Sequence, residues 1–211
     1  MQNSANQLSS IVSPRTYALI SSSARLRRKL LPEGACLSPY EILDYQATLT
    51  LEDPRGVRAT FRRQQRIRFL QEGVSGLLDH FWGDGVPLTF YHHEAGRLED
   101  SFKDERHRHL VIGLKRPMHR GESLAFEVVR MAMVGFTKDE EWVETSLDHP
   151  IRGLSRSIVF PAERPCQRAT LSYEGSKVPL PVIRLARGLT LVRFRVDQPR
   201  MDTPYTVRWS W

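Results

Sequence analysis

The chain closes on two consecutive stretches of strict two-residue alternation, and no other feature constrains its fold as tightly. Thr190, Val192, Phe194 and Val196 alternate with Leu191, Arg193 and Arg195. After Asp197-Gln198-Pro199-Arg200, which reads as a turn, Tyr205, Val207, Trp209 and Trp211 fall on one face. Pro204, Thr206, Arg208 and Ser210 fall on the other. Successive strand side chains point to opposite sides, so this pattern requires a sheet with one buried face. The aromatic residues on that face bring large buried areas.

The same period begins at about residue 40. Leu43, Tyr45, Ala47, Leu49 and Leu51 alternate with Asp44, Gln46, Thr48 and Thr50, and Glu52-Asp53-Pro54-Arg55-Gly56 has hairpin-turn chemistry. A strand over 57–70 then places Val57, Ala59, Phe61, Ile67 and Phe69 inside. Arg58, Arg62, Arg66 and Arg68 share its other face with Thr60 and Gln64. Further strands are predicted near 76–82, 86–91, 107–114, 122–134, 142–149, 151–160 and 166–174. About ten short strands without a long helical pattern between them predict an all-β protein. The expected form is an antiparallel β-sandwich, immunoglobulin-like or jelly-roll, since no repeat suggests a propeller. Thr137-Lys138-Asp139-Glu140 has capping-box spacing and predicts one helical turn, with Phe136 and Trp142 pinning it to the core.

Residues 1–34 differ from the domain expected over 35–211. They hold no acid before Glu33 and are rich in Ser, Asn and Gln. Pro14 suits the first turn of a short amphipathic helix over about 14–31, with Leu19, Leu26 and Leu30 on one face. Arg25, Arg27, Arg28 and Lys29 would lie in its last turn, where the helix dipole favours cations. Pro32 and Gly34 would stop it. The charges follow the apolar stretch, unlike a secretory signal. A mitochondrial transit peptide shares the composition, but a basic arm packed on the main domain is the preferred reading.

Several segments together look familiar: Phe69-Leu70-Gln71-Glu72-Gly73-Val74, Phe81-Trp82-Gly83-Asp84-Gly85, residues 135–142 from Gly135 to Trp142, Val159-Phe160-Pro161 and residues 205–211 from Tyr205 to Trp211. As a set they resemble an uncharacterised β-rich module of bacterial signalling or conflict-type proteins, over about residues 40–211. The resemblance implies an accessory or sensor module and lends no active-site residue.

Catalytic and metal signatures are sparse. His107 and His109, two apart on a predicted strand, resemble the opening of a cupin-type metal motif, but Leu110-Val111-Ile112-Gly113-Leu114 follows where a carboxylate is needed. An exposed His pair is preferred. Asp148-His149 with Ser155 or Ser157 supplies residue types for a hydrolase without a nucleophile elbow. Gly83-Asp84-Gly85 reads as a turn. Cys36 and Cys166 are far apart in sequence, and a reducing, cytoplasmic setting fits better than a disulfide framework. No cofactor is implied and no apolar run is long enough for a membrane helix.

Charge is the remaining clue. The 211 residues include 31 basic and 24 acidic side chains, net +7. Twenty-six of the 31 are Arg, a bias that base composition alone can produce. The excess concentrates in the Arg25–Lys29 cluster and the Arg58, Arg62, Arg66 and Arg68 face. Pairing Leu51 with Val57 would set Thr50 opposite Arg58, Gln46 opposite Arg62 and Asp44 opposite Gln64, leaving one acid for four Arg. Single-strand binders interleave aromatics for base stacking, and this face has none. The expected function is therefore a non-catalytic protein–protein module, an accessory subunit of a bacterial multi-component system, with an acidic protein as partner. The alternatives are a nucleic-acid-binding protein using the same face and arm, and a His-based metal enzyme.

Overall fold

The computed structural model describes residues 38–82, 88–103, 107–133 and 135–211, with the side chains of 81, 82, 88, 103 and 107 left aside. The expected arm helix, Arg25, Arg27, Arg28, Lys29, Cys36 and the Gly83–Gly85 turn lie outside those residues.

Fourteen strands run through the described residues: β1 (Tyr40–Leu51), β2 (Arg58–Phe69), β3 (Val74–Trp82), β4 (Leu88–His93), β5 (Gly96–Lys103), β6 (His107–Met118), β7 (Ser123–Met133), β8 (Glu140–Thr145), β9 (Gly153–Phe160), β10 (Arg168–Tyr173), β11 (Ser176–Leu180), β12 (Val182–Arg184), β13 (Thr190–Asp197) and β14 (Tyr205–Ser210). They form a seven-stranded sheet in the order β12-β13-β9-β1-β2-β7-β4, a four-stranded sheet β11-β10-β14-β8 and a three-stranded sheet β3-β6-β5. The protein is all-β over these residues, as its alternation predicts. One correction concerns direction. β1 and β9 pair in parallel near the middle of the large sheet, which is therefore mixed rather than antiparallel. A parallel pair needs a long crossover, here everything from β2 to β8, so no local pattern announces it.

The β1–β2 hairpin keeps the predicted faces but shifts its pairing by two residues. Leu51 faces Ala59, Thr50 faces Thr60, Thr48 faces Arg62 and Asp44 faces Arg66. The turn is longer than expected because the Asp53 carboxylate accepts the backbone N–H groups of Arg55 and Arg58 at 3.0 and 2.7 Å. A bulge between Ile42 and Asp44 then moves the core face, so that Tyr40 and Ile42 point inward in place of Leu43.

The alternating C-terminal residues are buried as expected: Tyr205, Val207, Trp209 and Trp211 all lie in the core. Their two strands do not pair with each other, however. β13 belongs to the large sheet and β14 to the four-stranded one, so the 197–200 turn carries the chain between sheets. The expected helical turn at 137–140 is a bend leading into β8, where Glu141 Oε1 accepts the Lys138 N–H at 2.8 Å. Phe136 is buried, but Trp142 is 49% exposed because it sits opposite Arg208 on the outward face.

The inner face of the large sheet touches both smaller sheets. Phe160 of β9 meets Trp209 of β14 with ring centroids 5.7 Å apart. At the other side Arg63 of β2 and Tyr91 of β4 reach Asp79 of β3. Each large apolar side chain buried there contributes roughly 1.5–3 kcal/mol. Between the two apolar regions, where all three sheets meet, the interior mixes polar and apolar side chains.

Candidate functional site

On the outer face of the large sheet, β2 presents Arg58, Arg62, Arg66 and Arg68 as the alternation predicts. More acid meets this row than the hairpin reading allowed, Glu127 from β7 and both Glu41 and Asp53 from the hairpin itself. Arg62 Nη1 donates to both oxygens of Glu127 on β7, at 2.9 and 2.8 Å, and Gln64 Nε2 donates to the same carboxylate at 3.0 Å. Glu41 binds Arg68 and also Arg152, the latter at 3.4 Å. Arg58 Nε lies 3.7 Å from Asp53. Burial opposes the Asp53 charge, but backbone N–H groups from Arg58, Val57 and Arg55 hold its carboxyl below the usual range. Arg66 is exposed and opposite Asp44. Beyond the arginines, Phe90 on edge strand β4 faces Met131 on β7, and the two are 46% and 41% exposed.

The inner face holds a second cluster of arginines, which sequence reasoning passed over. The cross-strand row Phe194–Arg156–Ala47–Arg63–Val128–His93 runs through β13, β9, β1, β2, β7 and β4. Arg130 sits two residues along β7, in the neighbouring row beside Phe61. All three arginines, with Asp79, line one cavity of about 110 Å³ that also meets β3 and the 144–149 segment. Neighbouring strands lie about 4.8 Å apart, so Ala47 leaves a gap between two long side chains that a larger residue would fill.

The charges in this cavity are unequal. Arg63 Nη1 donates to Asp79 Oδ1 at 2.8 Å and the Tyr91 hydroxyl donates to Asp79 Oδ2 at 2.9 Å. Burial opposes both charges of the Arg63–Asp79 pair. Their mutual attraction overrides it, holding the carboxyl well below its usual range and the guanidinium above its own. Burial pushes Arg156 down to about 10, and its Nη1 donates to neutral groups, the Thr145 hydroxyl and the Glu144 carbonyl. Burial also lowers Arg130, against the attraction of Asp79. Its guanidinium lies 4.5 Å above the Phe61 ring. The buried Nε atoms of Arg63 and Arg156 have no hydrogen-bond partner. At the more exposed side, His80 Nδ1 lies 3.4 Å from Asp148. Glu144 accepts from the Ser146 and Thr206 hydroxyls.

A signal for this cluster was present in the sequence. Arg63 has the parity of Phe61 and Ile67, Arg130 that of Phe126 and Val128, and Arg156 that of Leu154 and Ile158. A charged residue at a core position of an apolar strand is the informative exception to inward burial.

Among the described residues, His80 and His109 face each other across β3 and β6 with ring centroids 6.1 Å apart. His107 lies on β6 opposite Trp82, and its side chain is outside the description. His109 stacks on Phe102, with centroids 4.7 Å apart. His93 is buried against Phe126 and accepts the Ala95 N–H at 3.2 Å. His149 shares a hydrogen bond with Ser38 at 2.7 Å. Among the described residues no group of three or more His, Cys, Asp or Glu is arranged to hold a metal ion. Cys166 is buried, which pushes its thiol up to about 11. No helix among the described residues is long and apolar enough to cross a membrane.

No protein-family model matches the chain, and no curated protein matches it. Solved structures are similar in fold. A Parabacteroides distasonis protein described as a protease superposes with a TM-score of 0.51 at 11% identity, over 82% of this chain and 41% of its own. The M1 zinc metallopeptidase from Deinococcus radiodurans gives 0.49 at 12% identity, over 80% and 42%. The chain thus spans about two-fifths of the length of each.

Proposed function

We propose that this chain is a non-catalytic module that works by protein–protein contact, an accessory subunit of a bacterial, cytoplasmic multi-component system. Its architecture is taken as sandwich-like, the large sheet faced by two smaller ones, with the basic arm and its short helix as an added contact element. The observation that carries this reading is the exposed Phe90–Met131 pair beside the Arg58–Arg62–Arg66 row. Aromatic residues, Met and Arg are the types enriched at the centres of protein interfaces. Arg66, beside Arg58 and Arg62 whose charges Asp53 and Glu127 offset in part, fits an acidic protein surface, which would steer association and fix register. That the similar fold makes up 41% of the Parabacteroides protein suits a unit working beside another part.

Nucleic-acid binding from the same face is the rival, and it predicts a steep loss of affinity with salt. On our reading a labelled single-stranded or duplex oligonucleotide is not shifted by the chain at low salt. A stoichiometric, salt-sensitive shift abolished by Arg62→Glu with Arg66→Glu would replace the protein-contact reading. In a complex purified from the native host, that double reversal instead weakens partner retention while leaving the thermal unfolding transition in place.

A further inference from the structure

We propose that the outward face of the four-stranded sheet is a binding groove for an uncharged pyranose chain, with Trp142 as its platform and Arg208 as its central donor. This face lies on a different sheet from the Arg58–Arg66 surface. Cross-strand rows build it. Trp142 of β8, Arg208 of β14 and Thr170 of β10 lie side by side in the middle row. Glu140, Ser210 and Arg168 form the row on one side, and Glu144, Thr206, Ser172 and Lys177 the row on the other. A shallow groove of about 310 Å³ runs from Glu140 and Trp142 across Arg208 and Thr170 to Lys177. Neighbouring strands lie about 4.8 Å apart, so Trp142 and Thr170 are separated by about 10 Å, room for a sugar ring with its rim of hydroxyls.

The middle of the groove is open and its surround is fixed. Trp142 is 49% exposed, and among the described residues neither its ring nor the Arg208 guanidinium has a hydrogen bond, ion pair or ring contact. Around them, Arg168 donates through Nη2 to Glu140 at 3.0 Å and through Nε to the Ser210 hydroxyl at 3.2 Å. The Thr206 hydroxyl donates to Glu144 at 3.1 Å. Carboxylates and guanidiniums held this way keep further lone pairs and N–H groups for a ligand.

The chemistry of the face selects its occupant. Arg168, Lys177 and Arg208 are matched by Glu140, Glu141 and Glu144, so the face carries no net charge and gives a polyanion no electrostatic advantage. Trp209 lies beneath the groove and is buried, which leaves Trp142 as the exposed aromatic side chain lining it. Single-stranded nucleic acid stacks on successive aromatics, and a polyproline helix sits between aromatic ridges. A folded protein needs a wider apolar centre than one indole supplies. The glutamates of edge strand β8 discourage the pairing of another strand there. A pyranose meets each condition: the C–H groups of one ring face pack on an indole, and its rim hydroxyls both donate and accept.

Isothermal titration of the whole chain with maltohexaose and, separately, with cellohexaose tests the proposal. The expected result is saturable binding of one hexasaccharide per chain, to either probe or to both, with an affinity that raising the salt about tenfold leaves unchanged. Tighter binding of maltohexaose assigns an α-linked glucan, and tighter binding of cellohexaose a β-linked one. Trp142→Ala weakens that binding by at least about tenfold. Arg208→Met also weakens it while keeping the indole, and so decides the matter if the first variant does not fold. Arg193→Gln, on the outer face of β13, changes nothing. Absence of saturable binding of both probes to the wild-type chain, a steep loss of affinity with salt, or equal affinity in a folded Trp142→Ala chain overturns the proposal.

Discussion

Arg63 and Asp79 form an ion pair that ties two sheets together: the guanidinium of the seven-stranded sheet meets the carboxylate of the three-stranded one at 2.8 Å, with side chains 22% and 4% exposed. Tyr91 completes the carboxylate's shell from β4. The pair lines a cavity of mixed polar and apolar side chains, with Ala47 and Val128 flanking Arg63 in its row.

Asp79→Asn leaves Arg63 and Arg130 without their shared carboxylate. Removing one member of a buried pair typically costs about 3–5 kcal/mol, and urea unfolding at neutral pH should show a loss in that range. Replacing both partners, Arg63→Met with Asp79→Leu, restores most of it. The depressed folded pKa of Asp79 means that its stabilisation is present above the ordinary carboxylate range and disappears only as acid titrates the folded carboxyl.

His93 predicts a second, milder pH dependence. Burial lowers its pKa from 6.5 to about 4, despite the attraction of Asp79. Between those limits the unfolded chain holds the extra proton, so stability is full at neutral pH and falls as pH drops from about 6.5 to about 4. That interval corresponds to about 3 kcal/mol. His93→Gln, which keeps an acceptor near the Ala95 N–H, should flatten this part of the stability–pH curve; an unchanged curve excludes the assignment.

The two C-terminal tryptophans should respond differently to Phe. Trp209 Nε1 is buried without a partner, so Trp209→Phe removes an unsatisfied donor along with some packing. Trp211 Nε1 donates to the Lys138 carbonyl at 2.8 Å, and Arg164 lies 4.1 Å over its ring. Trp211→Phe therefore loses a hydrogen bond and weakens a cation–π contact, together about 1–2 kcal/mol more than the packing term. Denaturation midpoints of the two variants give the comparison.

Gly56 holds the β1–β2 turn against the segment before β8. Its φ is +67°, and a Cβ there would lie 1.6 Å from the Phe136 carbonyl oxygen, which is backbone and cannot swing away. Gly56→Ala should cost about 2 kcal/mol or more, through both strain and displacement of the Phe136 N–H bond to the Gly56 carbonyl. Thermal melting checks this, and a neutral outcome would mean that the turn relocates freely.

Much of this arrangement is legible in the sequence wherever one face of a strand is apolar. Tyr205, Val207, Trp209 and Trp211 are buried as their spacing requires, and Arg58, Arg62, Arg66 and Arg68 share an outer face. The illegible parts depend on distant chain segments. Glu127 neutralises Arg62 from β7, and β9 lies parallel to β1, across sequence separations of 65 positions and more. Arg63 was hidden for a different reason. Its parity with Phe61 marks it as interior, but a charged side chain at that position reads as solvent-facing until Asp79 is known to meet it. The same holds for Arg130 and Arg156, so the cavity was written in the sequence as three exceptions to its own alternation.

The central claim, contact with an acidic protein through the Phe90–Met131 and Arg58–Arg66 face, is tested most directly by quantitative mass spectrometry of what co-purifies with the tagged chain from its native host. Wild type is compared with Met131→Asp combined with Arg66→Glu, and with Arg193→Gln as the control. The account predicts an acidic protein in near-stoichiometric yield with wild type and control, reduced at least about tenfold by the double variant, whose unfolding transition is unchanged. Equal recovery of the same partner by the double variant would contradict it.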